Sequence, residues 1–144
     1  MCGNAFALKG MSPINHPEFR QIELFLKANH DKDAFITRLF YYINLKGKTN
    51  AQVYNAAGMT PDCFSKIISR KTKSPKKENV IALAFALELN LDEAKDLLSC
   101  AGYSFTHVRE DIVFEFCFEK GPYSIDEVNE ALVKCRFNPI GGRK

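Results

Sequence analysis

The sequence predicts an all-α protein, and three observations carry that expectation. Apolar residues recur three and four positions apart along most of the chain, the spacing of a buried helical face. Segments opening at Thr49, Thr60, Asn90 and Ser124 have the form of helix starts. Gly47, Gly58, Gly102 and Gly121 stand where the periodic runs stop.

Residues 1 to about 16 show no periodicity and read as an arm. Phe19, Ile22, Leu24, Phe25 and Leu26 predict a short helix from about Pro17 to Asn29. Asp31 or Asp33 caps the next helix, which runs to about Lys46 with Phe35, Ile36, Leu39, Phe40, Tyr42 and Ile43 as its apolar set. Thr49-Asn-Ala-Gln52 has capping-box form, in which the Thr hydroxyl accepts an amide and Gln52 reaches back. That helix ends near Ala57, and Gly58 supplies the positive φ of a tight turn.

Thr60-Pro61-Asp62 opens a helix to about Ser69. Thr60 caps, Pro61 occupies the first position where no amide is required, and Asp62 meets the positive helix end. A basic loop follows, from Arg70 to Pro75. From Lys76 to Leu89 the chain is apolar on nearly every side, so this helix is expected at the centre of the core. Asn90-Leu-Asp-Glu93 is a second capping box, leading a helix to Gly102. The stretch His107 to Lys120 alternates like a strand at Val113 to Phe118, but a helix suits the all-helical context. Gly121-Pro122 breaks it, and Ser124-Ile-Asp-Glu127 starts a last helix to about Cys135. The expected organisation is an arm and short helix over 1–32, a helical domain over 33–103 and a helical extension over 104–144.

The chain of 144 residues is long enough for one compact domain with a real core. Its longest apolar run, Val80 to Leu87, is too short to span a membrane, and the N-terminus lacks the pattern of a secretory signal. The five Cys are Cys2, Cys63, Cys100, Cys117 and Cys135, an odd number without close pairs. No CxxC occurs, and His16, His30 and His107 do not fall at zinc-ligand spacing from any Cys, so neither a disulfide framework nor a metal is expected. The thiols read as small, mostly buried side chains of a cytoplasmic protein. No phosphate-cradling glycine loop, HExxH or GxSxG is present, so no enzyme activity and no cofactor is expected. Cys63 lies near a helix start, but no His is close to it in sequence and Asp62 opposes its ionisation.

Charge is distributed unevenly. From Lys46 to Lys77 the basic residues are Lys46, Lys48, Lys66, Arg70, Lys71, Lys73, Lys76 and Lys77, and the one acid is Asp62, a net of +7. Because the whole chain is +3, the rest is −4. Acids dominate from Glu110 to Glu130. One part of the molecule suits a polyanion and another does not.

Asp33 to Gly102, about half the chain, resembles the Cro/repressor-like (Xre family) helix-turn-helix domains. The motif would run from Asn50 to about Ser69, with Val53, Ala57, Met59, Phe64 and Ile67 at its apolar framework positions and Gly58 at its turn glycine. The basic loop RKTKSP and the run VIALAFALELNLDEAKDLL follow in the family's order. Two framework positions depart from the pattern. Tyr54 stands where the family has Ala or Gly, and Phe64 where it has Val or Ile, which implies a different packing of the two helices.

The resemblance implies a five-helix Cro/repressor-like core with an N-terminal helix and a C-terminal helical pair. It also implies a sequence-specific DNA-binding regulator, a repressor, acting on double-stranded DNA as a homodimer. Pro61, Asp62, Ser65 and Lys66 would stand at base edges in the major groove. Asn50 and Gln52, with Arg70, Lys71, Lys73, Lys76 and Lys77, would meet phosphates. Pro61-Asp62 replaces the amide-bearing residues common in the family, and a carboxylate there is repelled by phosphate. The alternative is a protein-protein interaction module, an antitoxin or adaptor, built on the same fold and engaging its partner through the acidic C-terminal region. Tyr54 and Phe64 read as core rather than stacking platforms, and Phe114, Phe116 and Phe118 as core or else as a dimer seam.

Overall fold

The computed structural model describes residues 18–29, 34–69 and 75–141. It is all-helical: among the described residues there are eight helices and no strand. The chain divides into two compact units, 1–32 and 33–144. The first contains α1 (Phe19–Asn29), on which Phe19, Ile22, Leu24, Phe25 and Leu26 are all exposed. The second contains α2 (Ala34–Leu45), α3 (Asn50–Ala56), α4 (Pro61–Ile68), α5 (Lys77–Ala86), α6 (Leu91–Cys100), α7 (Arg109–Lys120) and α8 (Ile125–Lys134). The caps proposed at Asp31 or Asp33 lie outside the described residues.

All four helix starts read from the sequence close as hydrogen-bonded caps. The side chains of Thr49, Thr60, Asn90 and Ser124 accept from the amides of Gln52, Cys63, Glu93 and Glu127 at 2.8–3.2 Å. At three of them, Gln52, Glu93 and Glu127 reciprocate onto the cap's own amide. Each bond satisfies an amide that helix geometry leaves unpaired.

Helix ends are equally regular. After α2, α3, α5, α6 and α8 the chain closes with the same pair of bonds. The second of each pair runs from Lys48, Met59, Leu89, Tyr103 and Phe137 N–H back to the carbonyls of Ile43, Tyr54, Ala84, Leu98 and Leu132. Such a closure places one residue in the left-handed region. Glycine fills it at Gly58 (φ 73°), but Glu88 (φ 56°) and Arg136 (φ 67°) fill it after α5 and α8. The apolar residue that follows the turn is then drawn inward: Met59 is fully buried and Leu89 nearly so.

α5 is the centre of the second unit. Every residue from Val80 to Leu87 is buried, as expected for a run with no polar face. α3, α6 and α8 pack directly against it. Phe85 stacks on Phe118 of α7, with centroids 3.8 Å apart and rings within 5° of parallel, and Phe114 lies 6.4 Å away. The C-terminal pair is therefore part of the wall around α5. α7 is a helix throughout, and this divides its phenylalanines. Phe114 and Phe118, four apart, face inward, while Phe116 is 57% exposed. The core reading holds for Phe114 and Phe118 and is corrected at Phe116, because alternate residues fall on different faces of a helix. The thiol expectation is also corrected: Cys117 is buried, Cys63 and Cys100 are half-buried, and Cys135 is exposed.

α2 is fixed to α6 by charge as well as by Phe35, Leu39, Tyr42 and Ile43. Asp96 Oδ2 accepts from Arg38 at 2.7 Å and from the Tyr42 hydroxyl at 2.8 Å. Burial, with the Asp96 carboxylate alongside, pushes the Tyr42 phenol up to about 12. Lys46 pairs with Glu93 at 3.4 Å.

The left-handed turns at Gly58 and Glu88 make opposite predictions. Gly58→Ala puts a Cβ into a left-handed turn and should cost about 1–2 kcal/mol. Glu88→Gly removes that same strain against about 0.5–1 kcal/mol of added chain entropy, a net gain of about 0.5 kcal/mol. Urea midpoints of the two variants check both signs.

Candidate nucleic-acid interface

α3 and α4 pack against each other across the turn at Ala57–Thr60. The contact is made by rings: Tyr54 of α3 and Phe64 of α4 lie 5.6 Å apart, tilted by 45°. Phe64 is buried and Tyr54 half-buried, so the two bulky residues of the α3–α4 contact pack on one another. The turn is covered from the far end of the chain. Asn129 of α8 donates to the Ile140 carbonyl and accepts from its amide, at 3.0 and 2.8 Å. This holds Gly141 so close to the turn that a Cβ on it would come within 3.0 Å of the Ala57 carbonyl oxygen.

With Phe64 and Ile67 buried, α4 turns Pro61, Asp62, Ser65 and Lys66 to solvent. The four base-edge candidates therefore share one exposed face of a capped helix. Within it, Lys66 Nζ lies 3.1 Å from Asp62 Oδ2, with both side chains more than half exposed. The cation on this face is thus paired with the anion on the same face. An exposed i,i+4 pair of this kind contributes only about 0.3–0.5 kcal/mol, so a stronger acceptor can displace it.

The phosphate candidates are less alike. Asn50 is the exposed first residue of α3. Gln52 is exposed too, with its side-chain oxygen held 2.9 Å from the Thr49 amide. Arg70, Lys71 and Lys73 lie outside the described residues. Lys76 is the exposed N-cap of α5.

Lys77 points elsewhere. Its ammonium is 2.7 Å from Asp111 Oδ2 on α7, and that oxygen also accepts from the amide and hydroxyl of Thr106 at 2.7 and 2.9 Å. Asp111 is the buried charged residue among those described. Burial raises its pKa, but the bonds from Lys77 and Thr106 outweigh this and hold it below the ordinary carboxylate value. One residue before Lys76, the Pro75 carbonyl accepts from the Tyr103 hydroxyl at 2.8 Å. The C-terminal end of the basic segment is thereby fastened to α6–α7.

Sequence reasoning counted Asp111 among the acids of the stretch from Glu110 to Glu130 and missed its role as the anchor of Lys77. A signal was present: Asp111, Phe114 and Phe118 are three and four apart and so share the inward face of α7. That its partner is Lys77 is visible only in three dimensions. Among the described residues no group of three or more Cys, His, Asp or Glu could hold a metal ion, and no helix is long and apolar enough to cross a membrane. No protein-family model, curated protein or solved structure matches the chain.

Asp111→Ala should destabilise the fold by about 2–3 kcal/mol, less than a fully buried pair because Lys77 can reach water. The sign with pH follows from the lowered pKa. The stabilisation is present above the ordinary carboxylate value near 3.8 and is lost as pH falls through the lower folded value. Urea unfolding at neutral pH and again near pH 3 should show the wild-type advantage over the variant shrinking.

Proposed function

We infer that the chain is a sequence-specific regulator of transcription, a repressor, that binds double-stranded DNA as a homodimer through a Cro/repressor-like helix-turn-helix formed by α3 and α4. The observation that carries this reading is the exposed face of α4. It presents Pro61, Asp62, Ser65 and Lys66 together, and its helix runs into a segment with six cations between Lys66 and Lys77 and no acid among them. In the major groove, Lys66 would donate to guanine O6 or N7, and Ser65 would meet either a donor or an acceptor. Lys71, Lys73, Arg70 and Lys76 would neutralise phosphates and set the strength of binding without setting its sequence. Lys77, held by Asp111, would position the segment's end rather than meet a phosphate itself.

The second reading is an interaction module on the same helices, an antitoxin or adaptor. The Asp62–Lys66 pair favours it, because a carboxylate in the middle of the presented face repels DNA and suits a mixed-charge protein surface. Salt separates the two readings. Anisotropy of labelled duplex, both random-sequence and from upstream of the native gene, should show binding that weakens with salt. The log–log slope should be about −7 for the roughly eight phosphate contacts of a dimer, about four from each protomer.

Lys71→Glu combined with Lys73→Glu should abolish this binding. Its persistence, or the absence of any duplex binding at low salt, would reject the DNA reading. Asp62→Asn should strengthen binding several-fold at low salt by releasing Lys66. The same change should cost up to about 1 kcal/mol of stability, because a negative charge leaves the first turn of α4. If duplex affinity is unchanged or lower in this variant, α4 does not face DNA.

A further inference from the structure

α7 and α8 form a hairpin whose inner side closes on α5. Its outer side is a groove of about 560 Å³ between the two helices. One wall is Ile112 and Phe116, four apart on α7 and each more than half exposed. The other wall is Ala131 of α8 and Cys135, the residue that caps its C-terminal end, which are short enough to admit a large side chain between the helices. The charged residues lining it are both carboxylates, Glu127 and Glu130.

Three features define what fits. Ridges at i and i+4 on both walls are the relief into which a third helix packs. The exposed Ile112 and Phe116 call for an apolar stripe on that helix. The carboxylates call for cations beside the stripe: among the described residues Glu130 pairs with the exposed Lys134, at 3.1 Å, and Glu127 holds the Ser124 amide and no cation. A second copy meeting the same surface about a two-fold axis would set these acids against themselves. We propose that the α7–α8 groove is a docking site for an amphipathic helix of a partner protein, with large apolar residues at i, i+3, i+4 and i+7 and lysine or arginine flanking them. The site is separate from the α4 face, so it stands whether or not the chain binds DNA.

The test uses the full-length protein and two synthetic helical peptides, both with leucine at the apolar positions, one with lysine and one with glutamate elsewhere. Anisotropy of the labelled peptides gives affinity, and amide chemical shifts locate the site. The leucine–lysine peptide should bind and shift α7 and α8. Phe116→Asp, at a position exposed enough to leave the fold intact, should weaken it roughly tenfold or more. Glu127→Gln keeps the capping box, which accepts Gln as well as Glu, and should weaken binding several-fold while flattening its salt dependence. Equal binding of both peptides, shifts outside the hairpin, no binding, or indifference to Phe116→Asp would each overturn the proposal. So would a concentration-dependent dimer that Phe116→Asp dissolves, which would make a second copy the occupant.

Discussion

The run Val80–Leu87 has no face that water can touch, and the rest of residues 34–141 is arranged to keep water from it. A helix that is apolar all round is stable in water only when neighbours wall it on every side. Here α3, α6 and α8 do so directly, and α7 does so through the stack of Phe118 on Phe85. The candidate interface hangs from the same constraint. α3 is seated on α5, and α4 is seated on α3 by the Tyr54–Phe64 contact. The exposed face of α4 is what remains once Phe64 and Ile67 have been buried.

Charge follows a different logic from burial. The segment from Lys46 to Lys77 carries eight cations, and among the described residues three of them are held by carboxylates: Lys46 by Glu93, Lys66 by Asp62 and Lys77 by Asp111. The three pairs are not equivalent. The Lys66 pair is exposed and weak, so it tunes a surface. The Lys77 pair ends on a buried oxygen that accepts three hydrogen bonds, and it fastens the basic segment to α7. A buried carboxylate left without these donors would be costly, which makes the pair a condition of the fold. The same core thus bears a cationic segment and, on the outside of the α7–α8 hairpin, an apolar groove edged with acids.

Helix starts and the sidedness of α4 were legible in the sequence because they depend on neighbours within four residues. A cap bond joins Thr60 to Cys63, and a helical period separates Phe64 and Ile67 from Pro61, Asp62, Ser65 and Lys66. The Asp62–Lys66 pair obeys the same four-residue spacing but was not read from it. Two helix ends were not, since glycine marks the turn after α3 while Glu88 and Arg136 adopt left-handed conformations without any compositional sign. The phenylalanines of α7 were half legible: their richness was plain, but assigning Phe116 outward required knowing that the segment is helix and which of its faces meets α5.

The sequence by itself determined a helical chain outside the ambiguous stretch His107 to Lys120, four of its helix caps, a central apolar helix and a strongly cationic segment. These follow from hydrogen bonds and periodicities that are local along the backbone. Only the tertiary structure decided that Lys77 belongs to Asp111, thirty-four residues away. It also decided that Ile140 and Gly141 lie on the turn between α3 and α4, and that α7 and α8 leave an outer groove. Burial and charge compensation are set by which helix faces which, and that is a property of the packed whole.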